Sequence, residues 1–244
     1  MAETLKQRLR RFSNSLLHPL GLHLSRRERA FEMDGVLARA AARGFRPGTV
    51  IDVGASDGQW SLAARRHFPA AQYVLFEPLR EHAPALADLH TRFQFHIVSA
   101  AAGARRGEVG FVVDPKLDGS SVASDQPGDR RVPVETVDDT LVHLAAPAPY
   151  CLKLDTHGFE LAVLEGARRV LESTDGLLVI EAYNFALHEG APRFHELCAW
   201  LDARGWRCCD LADPMRRPSD GVLWQMDLAF ARANSAWFGD NRYA

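Results

Sequence analysis

Cysteine is scarce in this sequence, which has four cysteines among 244 residues and no Cys-x-x-Cys pair. Cys208 and Cys209 are adjacent, which is poor geometry for a structural disulfide. The sequence also lacks an apolar run approaching the ~20 residues that cross a bilayer. Its N-terminus has neither the continuous apolar stretch nor the small-residue cleavage site of a signal peptide. These absences predict reduced thiols and a cytoplasmic protein.

A strong excess of one charge is also missing, since 29 Lys and Arg residues face 31 Asp and Glu residues and the formal net charge is −2. No overall field then favours nucleic acid, and we predict no nucleic-acid partner. The exception is the N-terminus, where residues 1–29 contain seven Lys or Arg and two Glu. Leu5, Leu9 and Phe12 lie near helical spacing between these charges. Residues 1–27 are therefore predicted to form a separate basic amphipathic segment.

Two roles are open for the segment 1–27. Its apolar face and basic charges suit peripheral contact with the inner surface of a membrane. The same face could instead pack on the domain or on a second subunit, and with Trp237 and Phe238 it could close a homodimer. Either role leaves residues 28–244 as a single domain, which is long enough for one well-buried core.

Short apolar segments alternate with helical patterns from residue 50 onwards, which is typical of a mostly parallel sheet with helices on both faces. Segments 206–211 and 223–231 are predicted to pair as an antiparallel hairpin at the edge of this sheet. The sequence therefore predicts an α/β, Rossmann-like fold with a mostly parallel seven-stranded sheet. The five predicted parallel strands are 50–53, 73–76, 93–98, 151–154 and 177–182.

Two longer segments complete this interpretation. Residues 114–131 are polar and rich in turn formers, so we predict a loop or lid there. Residues 159–171 are predicted to form one helix, because Leu161, Leu164 and Leu171 recur on one face.

The dinucleotide-binding fingerprint G-x-G-x-x-G is absent as well, although a glycine-rich turn follows the first predicted strand. The turn, residues 54–58, reads G-A-S-D-G and places Asp57 where anionic phosphates would lie. An acid there, with Asp52 late in the strand, suits a cationic ligand such as S-adenosylmethionine. Glu77 lies about 20 residues beyond the turn, where a carboxylate can accept hydrogen bonds from two ribose hydroxyls.

Acidic residues mark the carboxyl ends of four predicted strands, at Asp52, Glu77, Asp155 and Glu181. In an open α/β sheet, ligands bind in the crevice outside these carboxyl ends. We therefore predict that the four side chains surround a single site.

Four blocks of the sequence resemble, in order, motifs of the FkbM-type methyltransferases. Residues 51–60, I-D-V-G-A-S-D-G-Q-W, are similar to motif I of that family, and residues 76–78, F-E-P, resemble its ribose-binding motif. Residues 132–141 resemble its V-x-V…L-D-D segment. Residues 152–160, L-K-L-D-T-H-G-F-E, resemble its L-K-[IL]-D-x-x-G-[FY]-E block. The resemblance extends over about residues 45–231.

This resemblance implies a class I methyltransferase fold, S-adenosylmethionine as methyl donor, and O-methylation of a hydroxyl of a sugar, glycolipid or polyketide-type natural product. The alternatives are a catalytically silent nucleotide-binding protein of the same fold and a dinucleotide-dependent enzyme. The missing fingerprint argues against the second alternative. The candidate donor-binding residues are Asp52, Gly54, Ala55, Ser56, Asp57, Trp60, Glu77, Pro78, Ser120, Ser121 and Asp155.

A base or a metal should assist the reaction, because an acceptor hydroxyl is a weak nucleophile and must also be aligned with the methyl group. The candidate bases are Asp155, His157 and His188, which follow the fourth and fifth main strands. Many family members carry Glu or Gln at the position of His157. A magnesium ion is the alternative, since Asp155, Glu181 and Asn184 offer hard oxygen ligands at adjacent strand ends. The same carboxylates could equally serve hydrogen bonding alone.

Overall fold

A computed structural model describes residues 31–117, 119–123, 128–240 and 242. The predicted segment 1–27, with its membrane or dimer role, lies outside these described residues. Within them, no helix combines the length and the apolar character needed to cross a membrane. The first helix of the described residues is α1, Met33–Ala42.

Strands and helices alternate along the chain. The strands are β1 (Thr49–Val53), β2 (Gln72–Phe76), β3 (His96–Val98), β4 (Ala101–Ala102), β5 (Gly107–Val112), β6 (Ser121–Val122), β7 (Arg130–Glu135), β8 (Tyr150–Leu154), β9 (Gly176–Tyr183), β10 (Trp206–Arg216) and β11 (Leu223–Arg232). The helices after α1 are α2 (Gln59–His67), α3 (Ala83–Phe93), α4 (Val137–His143), α5 (Glu160–Glu165), α6 (Arg168–Leu171) and α7 (Phe194–Asp202). Short 3-10 helices span Arg80–His82 and Ala236–Phe238.

The main sheet has seven strands in the order β10-β11-β9-β8-β1-β2-β3. Strands β1, β2, β3, β8 and β9 pair in parallel, as predicted. Every residue of β1, β8 and β9 is buried, because helices cover both faces of the sheet. Helices α1 to α3 pack on one face, and helices α4 to α7 pack on the other.

The closing hairpin lies at the edge of the sheet. Chain order suggests that β10 lies beside β9 and that β11 is the outer strand, but the structure has the reverse order. β11 inserts between β9 and β10 and pairs antiparallel with both, so that β10 becomes the outer strand. Burial explains this order, since the second half of β11 is almost entirely buried while most of β10 reaches solvent. The more apolar strand takes the covered position, and the sheet is mixed.

A second, four-stranded sheet in the order β4-β7-β5-β6 is not predicted by the sequence. The described residues of the segment 114–131, predicted to be a loop or lid, include strand β6 and the first residues of β7. Val122 of β6 is buried in one apolar cluster with Phe111, Val132 and Leu79. This contact gives a polar segment enough burial to form a strand.

The helix predicted over residues 159–171 is broken into α5 and α6 at Gly166 and Ala167. A Cβ on Gly166 would lie 2.1 Å from the backbone oxygen of Gly103, so only glycine fits at position 166, where the chain passes close to Gly103. The carbonyl of Gly166 accepts a hydrogen bond from the Asp138 amide at 2.9 Å. Tertiary contacts therefore override the helical pattern.

Candidate functional site

A cavity of about 840 Å³ opens at the carboxyl ends of β1, β2, β8 and β9. It brings together side chains that the sequence predicts from five separate segments. The predicted residues in its lining are Gly54, Ser56, Glu77, Pro78, Ser120, Ser121, Asp155, His157, Glu181 and His188. The predicted residues outside its lining are Asp52, Ala55, Asp57, Trp60 and Asn184.

The turn after β1 shapes one part of the cavity, which we call the donor end and define by Gly54, Ser56, Glu77 and Pro78. Gly54 has φ +74°, and a Cβ there would lie 2.1 Å from the backbone oxygen of Asp155. Only glycine lets the chain turn this close to the end of β8. Beyond the turn, the Ser56 amide donates to Glu77 Oε2 at 2.8 Å.

Glu77 is the main hydrogen-bond acceptor of the donor end. It is 7% exposed, and its other oxygen, Oε1, accepts from the Leu79 amide at 2.8 Å. Burial raises the pKa of Glu77 above its ordinary value, although the Leu79 and Ser56 amides act in the opposite direction. A carboxylate has about four lone-pair sites, so Glu77 can still accept hydrogen bonds from a diol.

Two acids that the sequence predicts to contact the ligand point elsewhere. Asp52 is fully buried, and its Oδ2 accepts from Ser61 Oγ at 2.7 Å. Asp57 is exposed, and its Oδ1 accepts from the Gln59 amide at 3.3 Å where α2 begins. The expectation that Asp52 faces a cationic ligand is therefore wrong, because Asp52 belongs to the core. Asp57 lies outside the cavity lining and supports the start of a helix, and its contact with a ligand stays a prediction.

Three other predicted residues also lie off the cavity. Ala55 and Trp60 pack into the core on the α1–α3 face of the sheet. Asn184 follows β9, and its Nδ2 donates to the backbone oxygen of Leu223 at 3.1 Å. Its backbone amide donates to the Trp224 oxygen at 2.9 Å, so Asn184 ties β9 to β11.

Lys153 connects buried Asp52 to the cavity. Its ammonium lies 3.2 Å from Asp52 Oδ1 and 3.4 Å from Asp155 Oδ2, and it donates to the Gly54 oxygen at 2.8 Å. Burial would lower the pKa of Lys153, but the two carboxylates outweigh burial and raise it. For Asp52 burial dominates, and its pKa is raised. For Asp155 burial is outweighed by Lys153 and His157, which hold its pKa below the ordinary value and keep a negative charge at the cavity.

A hydrogen-bonded chain links His157 to β9. The Tyr183 hydroxyl donates to Glu181 Oε2 at 2.5 Å, and His157 Nδ1 lies 2.7 Å from the same hydroxyl. Because the Tyr183 proton is used on Glu181, we assign Nδ1 of His157 as the donor to the Tyr183 oxygen. Gln225 Nε2 donates to the other oxygen of Glu181. Burial raises the pKa of Glu181, and these hydrogen bonds hold its carboxylate in place.

His188 approaches the cavity from the loop after β9. Its Nδ1 lies 2.9 Å from the Glu189 backbone oxygen, which can only accept, so Nδ1 carries a proton. Its Nε2 is buried and has no hydrogen-bond partner within the described part of the chain. Gly158, with φ +100°, makes room for the ring, because a Cβ there would lie 2.8 Å from Nε2. With the proton on Nδ1, Nε2 is the ring nitrogen that can accept a proton.

The predicted magnesium ligands Asp155 and Glu181 lie beside a predicted base. Asp155, His157 and Glu181 offer ligand atoms within 4.8 Å of one another, and the Asn184 Nδ2 donates to the Leu223 oxygen. Magnesium prefers octahedral oxygen ligands, but one ligand here is an imidazole nitrogen. Both Glu181 oxygens already accept protein hydrogen bonds, and the Lys153 ammonium lies 3.4 Å from Asp155. The donor set does not fit Mg²⁺, and we derive no step through it.

Sequence reasoning missed three polar residues of this region, Tyr183, Gln225 and Asp227. Tyr183 follows Glu181 by two positions in a strand, which places both on one face and was the one local signal. Gln225 and Asp227 stand opposite Tyr183 and Glu181 in the β9–β11 pairing. Burial, followed by the carboxylates of Glu181 and Asp155, raises the pKa of Asp227 to about 7.

These features together define a class of protein. A mostly parallel α/β sheet with one antiparallel strand, a tight glycine turn after β1 and a buried acid after β2 at a common cavity are the features expected of a class I methyltransferase. The sequence matches the methyltransferase FkbM domain family over residues 52–208. The chain belongs to this family, and the predicted fold class and family resemblance are confirmed.

Solved structures similar to this one have low sequence identity. A methyltransferase FkbM from Methylobacillus flagellatus KT is 19% identical with a TM-score of 0.49, and the match covers 74% of this chain and 43% of that one. An O-methyltransferase from Bacillus cereus in complex with SAH is 10% identical with a TM-score of 0.49, covering 95% and 93%. The O-methyltransferase TomG from Streptomyces achromogenes, in complex with SAM, is 14% identical with a TM-score of 0.47, covering 95% and 91%. This chain spans less than half the length of the Methylobacillus protein. No curated protein matches the sequence.

Proposed function

We propose that this protein is an S-adenosylmethionine-dependent O-methyltransferase that acts on a hydroxyl of a sugar, glycolipid or polyketide-type product. Membership of the family supports methyl transfer. The observation that carries the proposal is that one cavity is lined both by Glu77, a buried diol acceptor, and by His188, whose imidazole can take a proton. The first suits the ribose of the donor, and the second suits a hydroxyl that loses its proton.

The donor end offers suitable contacts for S-adenosylmethionine, which when bound supplies a methyl group on a sulfonium. Glu77 would accept hydrogen bonds from the ribose hydroxyls, and Gly54 allows the tight turn that lines the cavity beside the end of β8. Ser120 Oγ accepts from the Asp114 amide at 3.0 Å, so its own proton is available to a ligand carboxylate. The negative charge of Asp155 suits the cationic part of the donor.

The other part of the cavity, which we call the acceptor end and define by His157, Leu187, His188 and Trp224, would receive the proton that leaves the hydroxyl. His188 Nε2 would accept that proton, while the bond from Nδ1 to the Glu189 oxygen holds the ring. Base assistance of this kind contributes ~10²–10⁴-fold. His157 and Asp155, the other predicted bases, are engaged by Tyr183 and Lys153, so we assign them to orienting the acceptor.

Calorimetric titration with S-adenosylhomocysteine tests the donor site, because it needs no acceptor. We expect micromolar binding to the wild-type protein and at least tenfold weaker binding to Glu77→Gln. A hydrogen bond to a charged group is worth ~1.5–3 kcal/mol, which is about 10–150-fold in affinity. Glu165→Gln, at an exposed position of α5, is the matched control and should bind like wild type.

Titration with NAD provides the opposing ligand, and we expect no binding. Binding of NAD without S-adenosylhomocysteine would contradict the proposal and favour a dinucleotide-dependent enzyme. A folded wild-type protein that binds neither ligand would also overturn it and leave a catalytically silent protein of this fold.

A further inference from the structure

The acceptor end of the cavity has an aromatic wall that the steps above do not use. Trp224 of β11 lines the cavity and is half-buried. Met215 and Leu187 lie in the same lining. Phe185 lies outside the lining and stacks on Trp224. We call Trp224 and Phe185 the aromatic platform.

The aromatic platform is held in position by its neighbours. The rings of Trp224 and Phe185 stack with centroids 5.2 Å apart at 29°, and Tyr183 meets Trp224 edge-on at 6.0 Å and 85°. The guanidinium of Arg217 lies 4.6 Å from the centre of the Phe185 ring. The Asn184 amide donates to the backbone oxygen of Trp224 at 2.9 Å. These contacts fix the aromatic platform before a ligand binds. Binding there would therefore cost little additional side-chain conformational entropy.

We propose that Trp224 is the stacking surface for the acceptor and that the acceptor is a sugar ring. This deepens the function proposed above and rests on it. The face of an aromatic ring carries partial negative charge, so it attracts the polarised C–H groups on the flat side of a pyranose. The sugar hydroxyls at the rim of that ring would then reach the polar side chains of the cavity.

The polar lining favours a sugar over a flat phenolic acceptor. The lining residues from β8, β9, β11 and the loops after them are rich in hydrogen-bonding groups. These are Asp155, Thr156, His157, Glu181, His188 and Gln225. Thr156, Glu181 and Nδ1 of His157 are already paired within the protein, but the Asp155 carboxylate is 37% exposed. A flat phenol with one or two hydroxyls would give that carboxylate fewer hydrogen bonds than the water it displaces, which is unfavourable. A sugar ring can place one face on Trp224 and direct its hydroxyls to the polar side chains of the lining.

Saturation-transfer NMR on the full chain loaded with S-adenosylhomocysteine tests this inference. The probes are the methyl glycosides of glucose, galactose, mannose and rhamnose, with catechol as the flat phenolic probe. Trp224→Leu removes the aromatic face but keeps an apolar side chain, and Trp224→Phe restores an aromatic face. Trp200→Leu is the matched control, because Trp200 lies on α7, outside the cavity lining, under the guanidinium of Arg204 at 3.5 Å.

We expect saturation of the ring protons of at least one glycoside. Its affinity should fall about tenfold in Trp224→Leu and stay within about threefold of wild type in Trp224→Phe and Trp200→Leu. The inference is overturned if no glycoside binds, if catechol alone binds, or if the affinity for the glycoside is the same in Trp224→Leu as in the wild-type protein. S-adenosylhomocysteine titration separates the two proposals. If the wild-type protein does not bind it, the proposed function fails; if wild type and Trp224→Leu bind it equally while the glycoside result fails, only the sugar inference fails.

Discussion

Replacement of Lys153 by methionine tests how the buried charges support both the core and the site. The substitution keeps a straight apolar side chain but removes an ammonium 3.2 Å from Asp52 Oδ1 and 3.4 Å from Asp155 Oδ2. Asp52 is fully buried, and Ser61 at 2.7 Å would remain its side-chain hydrogen-bond donor. The variant therefore contains a carboxylate inside the domain with no opposite charge beside it.

The expected cost is large compared with the stability of a domain. Removal of one partner of a buried ion pair costs about 3–5 kcal/mol, whereas whole domains are stable by about 5–15 kcal/mol. The double variant Asp52→Asn/Lys153→Met removes both charges of the pair. It should recover at least about 1 kcal/mol of the loss, because the destabilising element is the unpaired charge rather than the missing contact.

The pH dependence of the loss has a definite sign. Burial already raises the pKa of Asp52, and removal of Lys153 raises it further. An acid whose pKa is higher in the folded state stabilises the fold below its unfolded pKa, and this stability is lost as pH rises through the folded pKa. The deficit of Lys153→Met relative to wild type should therefore shrink as pH falls from about 8 to about 5.

Urea unfolding followed by far-ultraviolet circular dichroism measures this free energy at each pH. Lys116→Met, at an exposed lysine, is the control and should unfold like wild type. A loss smaller than about 1 kcal/mol for Lys153→Met at neutral pH would refute the reasoning, as would a deficit that grows on acidification.

Three further outcomes are expected. Gly54→Ala should abolish S-adenosylhomocysteine binding in calorimetry, because its Cβ would lie 2.1 Å from the backbone oxygen of Asp155; wild-type affinity would contradict this. Asp227→Asn should flatten the fall in urea-measured stability as pH rises through about 7, the raised pKa of Asp227, and an unchanged slope would count against it. His188→Gln should keep donor affinity but slow methyl transfer to a glycoside ~10²–10⁴-fold, measured as S-adenosylhomocysteine released. A loss below about tenfold would remove His188 as the base.

The convergence of the main acids could be predicted because it depends on local signals. Glu77, Asp155 and Glu181 each end or follow an apolar strand, and parallel strands bring their carboxyl ends to one edge of the sheet. The same alternation of strands and helices predicts the fold class. Neither step requires knowledge of which distant residues touch.

The direction of a side chain at that edge is harder to predict. Asp52 and Val53 are consecutive in β1, so they point to opposite faces. Val53 lines the cavity, whereas Asp52 meets Lys153 inside the domain. Charge alone favours a ligand contact for Asp52, but the pleat of the strand decides otherwise.

Contacts between distant segments could not be predicted from composition or spacing. Gln225 joins the site only because β11 pairs with β9 in the register Gln225↔Tyr183. The hairpin is visible in the sequence, but the insertion of β11 beside β9 depends on the burial of the whole strand. The helix break at Gly166 likewise depends on the approach of Gly103 from another part of the chain.

The two outer strands of the main sheet, β3 and β10, decide whether further copies of the protein can add strands to its edges. β3 has only three residues, and the pairing of β10 is interrupted between Cys208 and Asp210 and again between Ala212 and Met215. Arg39 of α1 also holds Asp210 at 2.6 Å. Long regular edges are the places where chains polymerise by adding strands. Concentrated solutions should therefore resist fibril growth through this sheet, and any larger assembly should form through helices or loops.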